Sequence, residues 1–285
     1  DVAPDKKFEI LRRISAKFDN SVINQSPTGS SRRGVPSIEY EELRRRTKTN
    51  VGELFNYMDA ELEKVEKSLK NELGSQQALK ILKNFNELAK EHKRSLLNDM
   101  DQMKKNDGYE SFRHNEAKAL SDLVQKRLHY LQNPPDCSKA KKLVCKINKG
   151  CGYGCQLHHI VYCFIMAYAT ERTLILQSKG WRYHKGGWEE IFKPVSDTCL
   201  DSEGVSQGAW PADHNVQVIT VPIIDSLNPR PPYLPLAIPQ DLAPRLMKLH
   251  GDPIAWWIGQ LLLYILKPQP DTARMLENSK NKLGF

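Results

Sequence analysis

Nowhere in the 285 residues does an uninterrupted apolar run reach the eighteen or so that a membrane span needs; the longest stretches are 160–169 and 254–266. The chain begins at Asp1 rather than Met and has no charged-then-apolar leader, so a signal or anchor segment, if the protein has one, is expected outside it. No basic block dominates. The formal charge of +8 divides into 25 basic and 22 acidic residues over 1–136 and 17 and 12 over 137–285, a balance that does not select nucleic acid as a partner. Cysteine is missing from the first 136 residues and from the last 86. What is there is 40% hydrophobic content, enough to bury a core and exclude disorder throughout, in a length that suits one large domain or two small ones.

The six cysteines stand together at 137, 145, 151, 155, 163 and 199. An even number crowded around one local fold reads as a disulfide framework in an oxidising compartment, with 15 pairings open. The alternative is a zinc site built from Cys145, Cys151, Cys155 and Cys163 with His158 and His159. Its spacings of five, three and seven intervening residues are not the short paired knuckles zinc usually takes.

Before the cysteines the pattern is helical. Val51, Phe55, Met58, Leu62, Val65 and Leu69 recur at steps of four and three, and Gly74-Ser75 ends that stripe. A second stripe runs Leu82, Phe85, Ala89, His92, Leu96, Met100. After an Asn106-Asp107-Gly108 turn signal, a third runs Leu120, Val124, Leu128, Leu131 up to Pro134-Pro135. Each lasts about three heptads, which predicts antiparallel helices in a compact bundle or a dimerising pair rather than a long rod. Residues 8–18 form a further helical piece and 20–37 a polar, flexible linker. The one sequon, Asn24-Gln-Ser, is followed by Pro27, which disfavours its use.

After Pro135 extended runs at 142–148, 173–177 and 216–224 alternate with helical patterns at 156–170, 239–250, 253–266 and 271–282, and that alternation is α/β. Ile254, Trp257, Ile258, Leu261, Leu262 and Ile265 mark a buried face. The first unit is strand, glycine-rich loop, helix, strand, the order by which backbone N–H groups are aimed at a phosphate. Its loop reads Asn148-Lys149-Gly150-Cys151-Gly152-Tyr153-Gly154-Cys155 and lacks the Gly-Lys-Ser/Thr ending of an ATPase cradle. A bridge between Cys151 and Cys155 would hold 152–154 rigid and present Tyr153 outward, preorganising amide donors; the plain alternative is a tight turn rigidified for stability. His158 and His159, near the helix start, are expected as packed or capping residues rather than acid–base groups.

The words around this loop carry a family resemblance. Cys137-Ser-Lys-Ala-Lys-Lys-Leu-Val-Cys-Lys-Ile-Asn-Lys-Gly-Cys-Gly-Tyr-Gly-Cys-Gln-Leu-His-His is followed by Arg172-Thr-Leu-Ile-Leu, Trp181-Arg-Tyr and Gly186-Gly-Trp-Glu. Then come Asp225-Ser-Leu, Pro229-Arg-Pro-Pro-Tyr-Leu-Pro-Leu and His250-Gly-Asp-Pro. Across nearly all of 120–285 the chain resembles the animal core α-1,6-fucosyltransferase family. The resemblance implies an α/β fold class: an N-terminal helical, coiled-coil-like bundle followed by a disulfide-rich, Rossmann-type partial α/β domain. Segments 1–38, 39–135 and 136–285 would be an N-terminal helix with linker, a helical dimerisation region, and the first part of the catalytic domain.

It also implies a Golgi-lumenal type II membrane enzyme, anchored upstream of this chain and homodimeric through its helices. Such an enzyme moves L-fucose from GDP-fucose to the 6-hydroxyl of the innermost, Asn-linked GlcNAc of N-glycans, with inversion and without a metal or cofactor. Carried over, Cys137 pairs with Cys199, Cys145 with Cys163 and Cys151 with Cys155. Gly152, Tyr153 and Gly154 would lie against the donor's diphosphate, Tyr183 against its nucleoside, and Lys149 and Asp225 against the acceptor glycan. Read from the residues alone, Lys149 is equally a solvated loop cation and Asp225 a turn or cap residue.

The chain stops at Lys282-Leu-Gly-Phe, where the family continues into a His-x-Arg-Arg segment that grips the donor phosphates, a catalytic base and an SH3-like domain. This implies a truncated piece with no catalytic residue of its own, inactive in isolation. Residues 200–214 form a shorter stretch than in the vertebrate enzymes. Two other readings stay open: a non-catalytic lumenal binding or oligomerisation protein, and a fucosyltransferase acting on a protein hydroxyl, which the N-terminal helices disfavour.

Overall fold

The computed structural model describes residues 34–70, 76–223 and 237–284. The predicted helix at 8–18, most of the linker, the sequon and Asp225 lie outside them. Seven helices and four strands are found among the described residues. They fall into two compact units, one of residues 34–118 with 245–251 and one of 119–244 with 252–284.

The first unit is built on helices α1 (Ile38–Leu69) and α2 (Gln76–Asn106), with the start of α3 (Glu110–Gln132) and α5 (Ala243–Leu249). Ser37 caps α1, its hydroxyl accepting from the Tyr40 N–H at 3.1 Å. Tyr40 donates to Asp107, Lys48 to Asp101 and Lys93 to Asn56, so rising numbers in α1 meet falling ones in α2 and the pair is antiparallel. The predicted turn between α2 and α3 is made by Gly108 at φ +83° and by Asp107, which accepts from the Tyr109 N–H at 2.8 Å. Arg45 satisfies the last carbonyls of α5, those of Met247 and Lys248, at 2.7 and 2.8 Å.

The face that α2 turns inward differs from the expected stripe. Leu79, Leu82, Asn86, Ala89, Lys93, Leu97 and Met100 are the sheltered positions, whereas Phe85, His92 and Leu96 are exposed. The helix carries two neighbouring apolar rows, and α1 covers only one of them. Ile81, Phe85, Leu88, Leu96 and Met103 form the other, and α1 has its own outward residues in Leu43, Leu54, Tyr57 and Val65.

In the second unit β1 (Lys142–Lys146), β2 (Thr173–Gln177), β3 (Gln207–Ala209) and β4 (Val218–Val221) form one parallel sheet in the order β2-β1-β4-β3. Cys145 stands opposite Leu176 on one side and Val221 on the other. The helix α4 (Tyr153–Ala169) crosses from β1 to β2 and packs on both, and on α6 (Pro253–Ile265), where Tyr168 meets Trp257 and Phe164 meets Tyr264. Asp252 caps α6, accepting from the Ala255 N–H at 2.8 Å, with Pro253 in its first turn. α7 (Pro270–Leu283) follows. Leu120, Val124 and Leu128 of the third predicted stripe are fully buried.

The charges that stitch the sheet sit at its N-terminal edge. The buried Lys142 ammonium bonds the Asp201 carboxylate and the Glu203 carbonyl, and Arg172 donates to the carbonyls of Gln217 and His214. Three bridges use all six cysteines: Cys137–Cys199, Cys145–Cys163 and Cys151–Cys155, with Cα separations of 5.0, 6.0 and 6.0 Å. These are the pairs the resemblance implies. They also correct the zinc alternative: Cys145, His159 and Cys163 lie within 4.8 Å of one another, but both sulfurs are spent on one bridge and offer no thiolate.

Candidate functional site

The chain runs from β1 to β2 on one side and then to β4 on the other, so the turn of direction falls beside the C-terminal end of β1. Parallel sheets bind their ligands at such a point. The loop emerging there begins with Ile147, buried and bonded to the Gln177 carbonyl at 3.0 Å, and ends at Gly152, the cap residue of α4. Gly152 has φ −65° and ψ 167° and offers no capping side chain, so the first N–H groups of α4 are left for other acceptors. The Cys151–Cys155 bridge spans this helix start, and Gly152, Tyr153 and Gly154 lie inside it.

The glycines are not demanded by the fold of the loop. None of Gly150, Gly152 and Gly154 has a left-handed φ, and a Cβ on any of them would meet no atom within 4 Å among the described residues. A side chain at any of these positions would therefore project into open space beside the loop.

Tyr153 and Tyr183 come together although thirty residues separate them. Their rings stand edge to face at 5.4 Å, 36% and 45% exposed, with the buried Trp181 beneath them at 6.2 and 5.3 Å and Trp188 beneath that. Burial pushes the Tyr153 hydroxyl up from its ordinary pKa, aided by Tyr183, so the ring is neutral at physiological pH. The segment bearing Trp181 and Tyr183 folds back on Ser178, the residue after β2. Ser178 accepts from the Trp188 N–H at 2.9 Å, and Gly187, at φ +108°, lies so close that a Cβ there would sit 2.7 Å from the Ser178 hydroxyl.

One residue that sequence reasoning passed over joins these parts. Gln156, in the first turn of α4 and 1% exposed, accepts from the Trp181 indole N–H at 2.6 Å and donates to the Lys149 carbonyl at 2.7 Å and the Cys151 carbonyl at 3.4 Å. Its only sequence signal is an amide near the His158-His159 pair in a mostly apolar helix. Arg182 adds a bond to the Cys151 carbonyl at 3.4 Å. Lys149 is thus held by its backbone, with its side chain half-buried. Beside the loop lies a cleft of about 580 Å³ at the ends of β1 and β2, lined by Lys146, Asn148, Gln177, Ser178, Lys179, Lys185 and Glu189 among others. His159 is buried with its ring 3.9 Å from Cys163, and His158 is half-buried, as packed residues are.

A disulfide-closed run of amides, nearby lysines and two tyrosine rings suits an anion attached to a flat base or sugar. Comparison with known proteins gives this arrangement a family. The sequence model described as α-(1,6)-fucosyltransferase N- and catalytic domains matches residues 4–285. An α-(1,6)-fucosyltransferase of Drosophila melanogaster is 60% identical over 250 residues, 88% of this chain and 40% of that protein. One of Caenorhabditis elegans is 36% identical over 189 residues, 65% of this chain and 34% of its own length. The chain belongs to the α-(1,6)-fucosyltransferase family, and it spans well under half the length of these two curated relatives.

Proposed function

We propose that the protein containing this chain is a glycosyltransferase that moves L-fucose from GDP-fucose to the 6-hydroxyl of the innermost, Asn-linked GlcNAc of N-glycans. The observation that carries this reading is the disulfide-closed loop at the end of β1, whose glycines open outward beside two exposed tyrosines. In it the amides of 152–154 meet the donor's diphosphate, Tyr183 meets the nucleoside, and Lys149 and Asp225 meet acceptor hydroxyls. The acceptor oxygen attacks C1 of fucose opposite GDP, the C1–O bond to phosphate breaks with its electrons leaving on GDP, and the 6-hydroxyl proton passes to a base. The configuration at C1 inverts. We assign no base within this chain, and no metal.

Three bridges suit an oxidising lumen, which supports a Golgi-lumenal enzyme anchored upstream; among the described residues no helix is long and apolar enough to cross a membrane. The outward apolar rows of α1 and α2 support a homodimer formed through these helices.

The test is transfer from GDP-fucose to a GlcNAc-terminated biantennary glycopeptide, with linkage analysis of the product. The full-length protein is expected to give a 6-linked fucose on the innermost GlcNAc, and the 285-residue chain alone to give none. No transfer by the full-length protein would overturn the enzyme reading in favour of a non-catalytic lumenal binding or oligomerisation protein. Transfer by the chain alone would refute its inactivity.

A further inference from the structure

Tyr183 on the donor side and Lys149 on the acceptor side belong to different loops, Tyr153 sharing the loop of Lys149, and the buried side chain that bonds both loops is an amide. Trp181 lies under Tyr153 and Tyr183, and its indole N–H is spent on Gln156. The other end of the same amide is spent on the carbonyls of Lys149 and Cys151, the residues that enter the disulfide clamp. We propose that Gln156 is a positioning residue: it locks the clamp loop to the aromatic platform, so that the groups facing the donor and the group facing the acceptor keep one register. This rests on the fucosyltransferase reading above.

The chemistry of an amide is what this place requires. Two carbonyl oxygens need a donor and one indole N–H needs an acceptor, and a primary amide supplies both at once. A carboxylate would accept from the indole but face two carbonyls without a hydrogen, and an apolar side chain would leave all three groups without this partner. Gln156 itself is buried, so its loss acts through the loop rather than on the reacting atoms.

The experiment compares the full-length enzyme with Gln156→Met, Gln156→Glu, Trp181→Phe and the Gln156→Met/Trp181→Phe pair. Gln156→Met and Gln156→Glu are each expected to raise KM for GDP-fucose and for the glycopeptide by about tenfold, the size of leaving one buried polar group unpaired. The turnover number at saturation should change by less than about threefold. The double variant should cost little more than Gln156→Met alone, because both ends act as one unit. Hydrogen exchange gives a readout independent of transfer: amides at 149–155 should exchange faster in Gln156→Met while those of β1, β2 and the middle of α4 keep their protection. A uniform loss of protection with unchanged KM values would mean a purely structural role and would sink the proposal, as would full activity of Gln156→Glu. Failure of the unaltered enzyme to use GDP-fucose would refute the functional reading, while the exchange pattern would still decide whether Gln156 holds the loop.

Discussion

Glu41 is 2% exposed and accepts from Arg113 at 2.7 and 2.8 Å and from Arg44 at 2.9 Å; Arg113 also pairs with Asp107. Burial pushes the Glu41 carboxyl up, but the guanidinium bonds outweigh it and hold it below the usual range. A carboxyl lowered on folding adds stability above its unfolded pKa of about 4.5, and that gain is lost as pH falls through the lower folded value. Glu41→Gln is therefore expected to cost the helical unit about 3 kcal/mol at neutral pH, a roughly hundredfold faster amide exchange in α1 and α3. The difference from the unaltered protein should shrink as pH drops below about 4.5. A difference that is constant with pH would assign Glu41 no ionic role. At this scale sequence reading singled out Gly152, Tyr153 and Gly154 because their residue types are unusual in that loop, and Tyr183 only through the family resemblance. It missed the bond between Gln156 and Trp181 because a contact between residues 25 apart leaves no trace in local spacing.

Among the elements, the three bridges close loops of very different length, and only Cys151–Cys155 spans the start of α4. In the chain-entropy model their removal costs about 4 kcal/mol for Cys137–Cys199, about 3 for Cys145–Cys163 and about 2 for Cys151–Cys155, following loop length. Paired Cys→Ser variants should lower Tm in that order, yet the 151/155 pair should raise KM for GDP-fucose most, by about tenfold. If KM followed the order of Tm, the clamp would have no special part in binding. The strands β1, β2 and β4 were legible because a parallel strand covered on both faces reads as an apolar run, as in Leu143-Val-Cys and Leu174-Ile-Leu. The edge strand β3, Gln207-Gly-Ala, carries no such signal; it forms by backbone pairing with β4. The inward face of α2 was misread because two apolar rows lie side by side and periodicity alone does not say which one a partner covers.

For the whole molecule the uncovered rows on α1 and α2 make a definite expectation. Phe85→Glu combined with Leu88→Glu, at positions 47% and 50% exposed, should convert the proposed dimer to a monomer by light scattering without loss of helical circular dichroism. A protein that is already monomeric before substitution would contradict the dimer. The α/β character of the second half followed from the order strand, glycine loop, helix, strand, which leaves a parallel crossover as its natural packing. The central claim is that the glycines of the clamp are kept small for a ligand. The most direct measurement is KM for GDP-fucose in full-length Gly154→Ala. Alanine at this helical position meets no neighbour, so Tm should hold or rise, by up to about 1 kcal/mol in stability, while KM rises about tenfold or more. An unchanged KM with a raised Tm would contradict the account.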